Sequence, residues 1–272
     1  MSSVTEGGAV RPRAGKLLGG LASGLPTLVL SAVAVALWEA AVRLLHVSSY
    51  IVPAPSAIAA TLAAKSHLLA VAALVTAQEV LLGFAVSAVI GAGLALTIVR
   101  FSLFGRALYP LIVLFQTVPK VALAPIFILW FGYELMPKIA LIVVIAFFPI
   151  TLNMLAGLES AEPGLIALMR SVGAGRNEIL MRVQIPHALP NLMAGLKIAI
   201  TFSVIGAIVG EFAGASAGLG YMIQFASTQL DTALVFAALV VVSAVGVGFY
   251  YLVEVLERAV VPWAHKFNRA ER

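Results

Sequence analysis

This chain of 272 residues is 62% hydrophobic and only 11% charged, and its mean hydropathy is +1.07. A soluble domain of this length carries roughly 25% charged residues, so the composition excludes a water-soluble globular protein. The apolar residues stand in long unbroken blocks, which only a lipid bilayer tolerates as a protein surface. The sequence therefore predicts an all-α integral membrane protein.

The chain has no cysteine and only four histidines, which excludes several kinds of site. Without cysteine there is no disulfide, thiol nucleophile or thiolate metal ligand. The histidines are scattered, and no two of them have the spacing of metal ligands: His46, His67, His187 and His265. We predict neither a metal site nor a bound cofactor in this chain.

Six blocks of about 20 apolar residues are long enough to cross a bilayer. In chain order they cover residues 25–45, 68–99, 107–131, 139–158, 191–212 and 233–256. The first carries Trp38 and Glu39 and has no small-residue cleavage site after it, which favours a retained helix over a signal peptide. The second is long enough to include an interfacial turn. The third contains Pro110, Pro119 and Pro125 and is predicted to be kinked or broken.

The basic residues favour one orientation of these helices. With the N-terminus in the cytoplasm, cytoplasmic segments collect all but four of the 17 lysines and arginines, the exceptions being Arg43, Lys65, Lys120 and Lys138. Cytoplasmic loops of membrane proteins generally carry such an excess. The net charge of +5 then faces anionic lipid headgroups, which argues against nucleic acid as a partner. Both termini are predicted to be cytoplasmic.

No change in composition divides the chain into separate folding units. We divide it into a cytoplasmic tail (residues 1–24), a first helix with an extracytoplasmic segment (25–67), a five-helix core (68–258) and a second cytoplasmic tail (259–272). In the extracytoplasmic segment, Ser56 follows two prolines and is positioned to cap a short helix that begins at Ala57.

The longest polar interruption lies between the fourth and fifth blocks, at residues 159–190. A long ordered loop in a compact protein usually has a function. Pro163 suits the first turn of a helix, and Gly173-Ala174-Gly175 is predicted to break that helix.

A second short helix is predicted to follow the break. Glu178 and Arg182 would form an i,i+4 ion pair on it, and Pro186 and Pro190 would end it. Such a helix on the cytoplasmic face either docks in a groove of a soluble partner or only lies on lipid headgroups. The pattern alone leaves both possibilities open.

The same loop carries a family resemblance. Ala167-Leu168-Met169, then Gly173, then Val183-Gln184-Ile185-Pro186 resembles the EAA loop of binding-protein-dependent ABC permeases. Ala167 stands where that family has glutamate, whereas the glycine and the proline are kept. Further segments are similar to its nitrate, sulfonate and taurine branch: Val52-Pro53-Ala54-Pro55-Ser56, residues 119–125, Trp130-Phe131-Gly132, Phe147-Phe148-Pro149 and Gly218-Leu219-Gly220.

The resemblance implies a type I ABC importer permease of the bacterial inner membrane, with about six transmembrane helices and a cytoplasmic coupling helix. It also implies a permease homodimer, two cytoplasmic ATPase subunits and an extracytoplasmic solute-binding protein. The residues it assigns to ATPase coupling are Ala167, Arg170, Gly173, Arg176, Glu178, Arg182 and Pro186. The sequence has no G-x-x-x-x-G-K-[ST] phosphate loop, so ATP is expected to bind the partner subunit.

Three charged residues inside the predicted spans are candidates for the translocation pathway, because intramembrane charges are costly and often functional. Lys120 either attracts an anionic solute or hydrogen-bonds carbonyls that the nearby prolines leave free. Glu211, which follows Gly206 and Gly210, either lines the pathway or makes a structural hydrogen bond. Glu79, at the start of the inner half of the second span, is more simply explained by an interfacial contact or a contact between helices.

Two other functions compete with an importer permease. An ion-coupled secondary transporter commonly has repeated halves with broken helices, but the proline pattern of the third block has no second copy. A membrane enzyme needs clustered acid, base or metal-binding residues, which this sequence lacks. The solute stays open between nitrate, sulfonates or taurine and a pyrimidine vitamin precursor or riboflavin.

Overall fold

The structure, a computed structural model, describes residues 14–263, except for the side chains of residues 14–25, 102–104, 106 and 109. Every regular element in that range is helical. In chain order the α-helices are α1 (Ala14–Leu44), α2 (Pro55–Ala64), α3 (Ser66–Arg100), α4 (Ser102–Gln116), α5 (Ala124–Phe131), α6 (Leu135–Glu159), α7 (Pro163–Ser171), α8 (Arg176–Ile179), α9 (Ile185–Gly214), α10 (Leu219–Thr228) and α11 (Thr232–Val260).

Within the described range, five helices are long and apolar enough to cross a membrane, and a sixth span is bent. The five are Pro26–Leu44 of α1, then α3, α6, the stretch Arg176–Gly214 and α11. The bent span joins Pro110–Gln116 of α4 to Lys120–Phe131 at an angle of 85°. The predicted helical fold with about six spans is confirmed, and so is the break in the third span.

The break between α4 and α5 coincides with Pro119. α4 ends at Gln116, and Pro119 leads into a short 3-10 turn, Lys120–Leu123. Proline has no N–H and clashes with the preceding helical turn, so it ends the α-helix here. The other two prolines are tolerated: Pro125 lies in the first turn of α5, and Pro110 lies inside α4.

α6 packs between α3 and α9 and forms the centre of the bundle. Glycines bring these helices close together. A methyl group on Gly83 would lie 2.5 Å from Ile142 Cγ2, and one on Gly91 would lie 2.8 Å from the backbone oxygen of Phe147. Small residues at helix contacts allow such close packing, which helps to hold membrane helices together. The buried core of this region includes Val80, Ile142, Ala146, Ile150, Ala199 and Ile200.

The prediction that Pro186 and Pro190 end a short helix is wrong. The stretch Arg176–Gly214 runs as one helix of 39 residues, because a π-helical turn, Leu180–Gln184, connects α8 to α9. The wider π turn gives space for the ring of Pro186, whose missing N–H would otherwise interrupt the helix. Pro190 lies inside α9. The helix that contains the fifth span therefore begins directly after the glycine break.

Two further expectations near the first two spans need correction. The second span has no interfacial turn, since α3 is continuous. The helix around Ser56 begins earlier, at Pro55, and the residue that precedes it makes no side-chain cap. Ser56 instead donates its backbone N–H and its hydroxyl to the carboxylate of Glu39 in α1, at 3.0 and 2.7 Å. Glu39 therefore binds the first turn of α2 from a neighbouring helix.

Candidate functional site

The loop with the family resemblance lies at the end of the bundle where α3 ends and the 39-residue helix begins. α7 has no buried residue, and Gly173 after it has a left-handed backbone with φ +84°. Leu165, Leu168 and Val172 are 43%, 59% and 73% exposed. Their spacing of three and four residues puts them on one face of the helix. We call these three residues the α7 stripe.

The seven residues predicted to couple to an ATPase fall into two groups. Four are exposed: Ala167 and Arg170 on α7, Gly173 in the turn that follows, and Arg176 as the first residue of the long helix. The other three lie further along that helix, where Glu178 and Arg182 form the predicted ion pair at 3.2 Å. Pro186 is half-buried there. Their roles toward an ATPase stay predictions.

Arg176 has a partner inside the chain that the sequence did not indicate. Its Nη2 donates to the backbone oxygen of Val99 at 2.8 Å. Val99 lies in the last turn of α3, where carbonyl groups have no partner within the helix. Arg176 therefore caps α3 and fixes the start of the long helix against it. A substitution at Arg176 would disturb the bundle as well as any contact with a partner.

Lys120 lies at the break in the third span. Its Nζ donates to the backbone oxygen of Gln116 at 3.2 Å and lies 5.9 Å from the ring centre of Phe148. Gln116 ends α4, so its carbonyl group is free of helical hydrogen bonds. This contact matches the structural alternative for Lys120, and its role in solute passage stays a prediction.

Four side chains form a buried polar cluster in the core: Thr76 and Glu79 of α3, Lys138 of α6 and Glu211 of α9. Each is at most 8% exposed. Lys138 Nζ donates to Glu79 Oε1 at 2.5 Å, and Thr76 Oγ1 donates to Glu211 Oε1 at 2.6 Å. The polar cluster thus joins three membrane-spanning helices.

The sequence did not indicate this cluster as a unit. Lys138 and Glu79 are 59 residues apart in the sequence. The distribution of basic residues predicts only that Lys138 lies on the outer side or in the membrane. Glu79 lies in the half of α3 that begins at Ser66, which in the predicted orientation is the outer half and not the inner one. The contact between helices expected for Glu79 is present. Its second oxygen, Oε2, has no hydrogen-bond donor among the described residues.

The polar cluster also holds the start of α10. Leu219 donates its N–H to Thr76 Oγ1 at 2.9 Å, and Gly220 donates its N–H to Glu211 Oε2. A methyl group on Gly218, which has φ +111°, would collide with the Glu211 carboxylate. The Gly218-Leu219-Gly220 segment thus leaves room for a buried carboxylate to cap α10. The structural hydrogen bond expected for Glu211 is present.

A cavity of about 430 Å³ lies between the starts of α3 and α11 and one side of α10. We call it the α10 cavity. Its walls are mainly apolar and include Val71 and Val75 of α3 and Tyr221 and Phe225 of α10. The two aromatic rings are stacked, with their centres 6.1 Å apart. The cavity has a size usual for sites that bind small molecules.

One ion pair lies at the edge of the α10 cavity. Lys65 Nζ donates to Asp231 Oδ2 at 2.7 Å, and Asp231 Oδ1 accepts from the N–H of Leu234 at 3.1 Å. Asp231 thereby caps α11. The hydrogen bond from Lys65, and with it the one from Leu234, lowers the pKa of Asp231.

Residues 87–262 match the sequence pattern of the family described as "Binding-protein-dependent transport system inner membrane component". The chain belongs to this family. The match begins inside α3 and includes α7, Lys138, Glu211 and α10.

Individual relatives of this permease agree with the match. This chain is 37% identical, over 85% of its own length and 92% of the relative's, to the formylaminopyrimidine transport permease protein ThiX of Halalkalibacterium halodurans. It is 32% identical, over 97% of its length and 95% of the relative, to the putative aliphatic sulfonates transport permease protein SsuC of Bacillus subtilis. A chain of the MetNI methionine ABC transporter, solved in inward-facing conformations, shares its fold with a TM-score of 0.58 and 22% identity, over 68% of this chain and 94% of that one.

These comparisons decide between the functions that the sequence left open. The chain is the membrane-spanning permease subunit of an ABC importer, a multi-pass protein of the inner membrane. The ion-coupled transporter is set aside, and the type I permease fold implied by the resemblance is confirmed. Its role in the importer is that of a transport subunit.

Proposed function

We propose that this permease works as a homodimer that binds two cytoplasmic ATPase subunits through α7 and receives solute from an extracytoplasmic binding protein. The observation that carries this proposal is the exposed α7 stripe, Leu165, Leu168 and Val172. Contiguous exposed apolar side chains next to polar ones are typical of surfaces that bind a partner. Arg170 and Glu178 supply the polar neighbours.

The structure supports a direct mechanical route from α7 into the membrane. Gly173 connects α7 to a helix of 39 residues, which at 1.5 Å per residue is about 58 Å long. The far end of that helix carries Glu211 and with it the polar cluster and α10. A displacement of α7 by an ATPase would thus be transmitted by one rigid element to the region of the α10 cavity.

The departure from the family pattern at Ala167 bears on how docking occurs. Ala167 is exposed and offers no charge, so an ion pair from this position is not available. The α7 stripe would supply most of the binding free energy, because burying apolar surface contributes about 25 cal/mol per Å². Arg170 would then add charge complementarity at the edge of the contact.

The orientation proposed here puts both termini and α7 in the cytoplasm. It follows from the distribution of lysine and arginine along the sequence. α3 connects the Lys65 end to the Val99 end of the bundle, so the α10 cavity would open on the extracytoplasmic side. The solute of this permease would belong to the classes named for its relatives, a formylaminopyrimidine or an aliphatic sulfonate.

Copurification with the cognate ATPase tests the proposal. Leu168→Glu should reduce the amount of ATPase that copurifies with the permease at least tenfold and abolish ATP-driven uptake, while the amount of inserted permease stays normal. The matched control is Leu230→Glu, because Leu230 is similarly exposed, at 63%, at the opposite end of the bundle. ATPase bound to Leu168→Glu at wild-type stoichiometry would refute the role of α7.

A further inference from the structure

The charges that line the α10 cavity are compensated. Among its lining residues, all of them in the described part of the chain, Lys65 is the one cation and Asp231 the one anion. The two are bonded to each other at 2.7 Å. An anionic solute would have to share the Lys65 ammonium with Asp231 and would lie close to the negative charge of the Asp231 carboxylate. The cavity thus lacks the free cation that oxyanion binding usually employs.

The backbone beside the cavity offers an anion no better site. The first N–H groups of a helix commonly bind anions, and α10 begins at the cavity wall. The N–H groups of Leu219 and Gly220 are already taken by Thr76 and Glu211. Glu211 also brings a carboxyl group to this end of the helix. A sulfonate that enters the cavity would therefore lose its hydrogen bonds to water, and the mainly apolar walls would not replace them.

The walls are suited to a flat aromatic molecule. Tyr221 and Phe225 form a stacked pair with an interplanar angle of 24°, and Phe225 is 52% exposed. A third ring can extend such a stack, and Val71 and Val75 of α3 line the same cavity. Ser216 and Gln229 at the cavity lining can hydrogen-bond the ring nitrogens or exocyclic groups of a heterocycle.

We propose that the α10 cavity receives a flat, uncharged aromatic heterocycle of the size of a substituted pyrimidine, and that it excludes sulfonates and other oxyanions. The inference rests on the proposed function in one respect only: the solute is carried by the importer to which this permease belongs. The cavity itself is described within a single copy of the chain, so binding can be measured without the ATPase.

The test measures direct binding to the full-length permease in lipid nanodiscs, with a radiolabelled aminopyrimidine carrying a hydroxymethyl group and with radiolabelled ethanesulfonate. The pyrimidine should bind saturably and ethanesulfonate should not. Tyr221→Leu should weaken pyrimidine binding roughly tenfold or more, as expected from loss of a stacking contact. Tyr221→Phe, which keeps the ring, should bind within about twofold of wild type. Tyr251→Leu is the matched control, since Tyr251 is exposed on α11 and does not line the cavity.

Several outcomes would overturn the inference: saturable binding of ethanesulfonate that Lys65→Gln abolishes, no binding of the pyrimidine, or equal effects of Tyr221→Leu and Tyr251→Leu. Native mass spectrometry that finds a lipid retained by wild type and lost in Tyr221→Leu would overturn it as well. Failure of the proposed function looks different. In that case the pyrimidine binds the permease but the ATPase neither copurifies with it nor drives uptake. Sulfonate uptake driven by a bound ATPase would leave the proposed function intact and refute the cavity assignment.

Discussion

Two short helices, α7 and α10, flank the 39-residue helix and differ in how much of each is buried by the rest of the chain. α10, with 10 residues, buries Leu219, Met222 and Ala226, and its first N–H groups are bonded to side chains of the polar cluster. α7, with 9 residues, buries none, and its N-cap makes no side-chain hydrogen bond. The first N–H groups of α10 and half of its residues are buried against its own chain. The side chains of α7 stay exposed or half-buried, and we propose that an ATPase subunit binds there.

This difference distinguishes two ends of the permease. We call the α10 end, with its buried polar cluster, the fixed end, and the α7 end the exposed end. At the α10 end, charges are buried and paired, so substitutions should change folding stability. At the α7 end the α7 stripe is exposed, so substitutions within it should change association and leave the free energy of unfolding within about 0.5 kcal/mol of wild type. Each prediction below tests one part of this contrast.

The largest effect is expected at the buried ion pair. Lys138→Met leaves the Glu79 carboxylate buried without its cation, which should lower the free energy of unfolding by about 3–5 kcal/mol. The matched control is Arg182→Met at the α7 end, where Arg182 is 72% exposed in its pair with Glu178. That pair should contribute only about 0–1 kcal/mol. Unfolding in detergent micelles, followed by circular dichroism, measures both variants.

The double variant Glu79→Gln/Lys138→Met supplies the second control. It removes both charges, so it should recover most of the stability that Lys138→Met loses. A double variant no more stable than Lys138→Met would contradict the idea that an unpaired charge is the cause.

Positive-φ glycines give the next comparison. Gly218 and Gly173 have φ values of +111° and +84°, but only Gly218 has atoms where a methyl group would go. Gly173→Ala should cost about 1–2 kcal/mol from backbone strain alone. Gly218→Ala should cost about 1–3 kcal/mol more, because its methyl group displaces the Glu211 carboxylate. Equal melting temperatures for the two variants would remove the steric role assigned to Gly218.

The spans could be predicted from the sequence because hydropathy is a local property. Each block of about 20 apolar residues is readable without knowing its neighbours, and so is the break at Pro119. Pro186 was misjudged because its effect depends on a π turn that forms only in the folded helix. The number of spans and the family thus followed from local patterns, whereas the course of the fifth span did not.

The candidate site was only partly predictable for a similar reason. The α7 loop is continuous in sequence, so its glycine, its helix start and the pair Glu178–Arg182 were all indicated. The polar cluster joins residues that lie far apart in the sequence, since positions 76 and 211 are separated by 135. Such a contact leaves no periodic pattern in the sequence. The glycines of Gly218-Leu219-Gly220 are explained only by the folded structure, which puts the Glu211 carboxylate beside them.

Glu211 itself allows a finer test of the fixed end. The polar cluster contains two carboxyl groups and one ammonium group, and Glu79 Oε2 has no donor among the described residues. Glutamine at position 211 keeps an oxygen that accepts the Gly220 N–H at the start of α10. Its NH2 group then replaces the oxygen that accepts from Thr76, whose hydroxyl can donate to the backbone oxygen of Ala72 instead. Glu211→Gln should therefore stay within about 1 kcal/mol of wild type, whereas Glu211→Leu should cost about 1–3 kcal/mol through unsatisfied buried groups. Thermal unfolding of both variants is the measurement, and a Gln variant less stable than the Leu variant would mean that a full negative charge is needed there.

The smallest effect is expected for the pH dependence of folding stability, at the partly exposed ion pair between Lys65 and Asp231. Lys65 lowers the pKa of Asp231 through their hydrogen bond, so the folded state binds a proton at this site less readily than the unfolded state. The stabilisation is present above the ordinary aspartate pKa of about 3.9 and is lost as the pH falls through the lower folded value. Because both side chains are about two-fifths exposed, the contribution should be under about 1 kcal/mol. Asp231→Asn keeps a residue that caps α11 but removes the charge, so between pH 5 and pH 3, on the order of the aspartate range, its melting temperature should fall less than that of wild type. Melting temperatures that fall equally in wild type and Asp231→Asn over that interval would show that the Lys65–Asp231 pair contributes nothing to folding stability. The contrast between the two ends would then depend on the buried polar cluster alone.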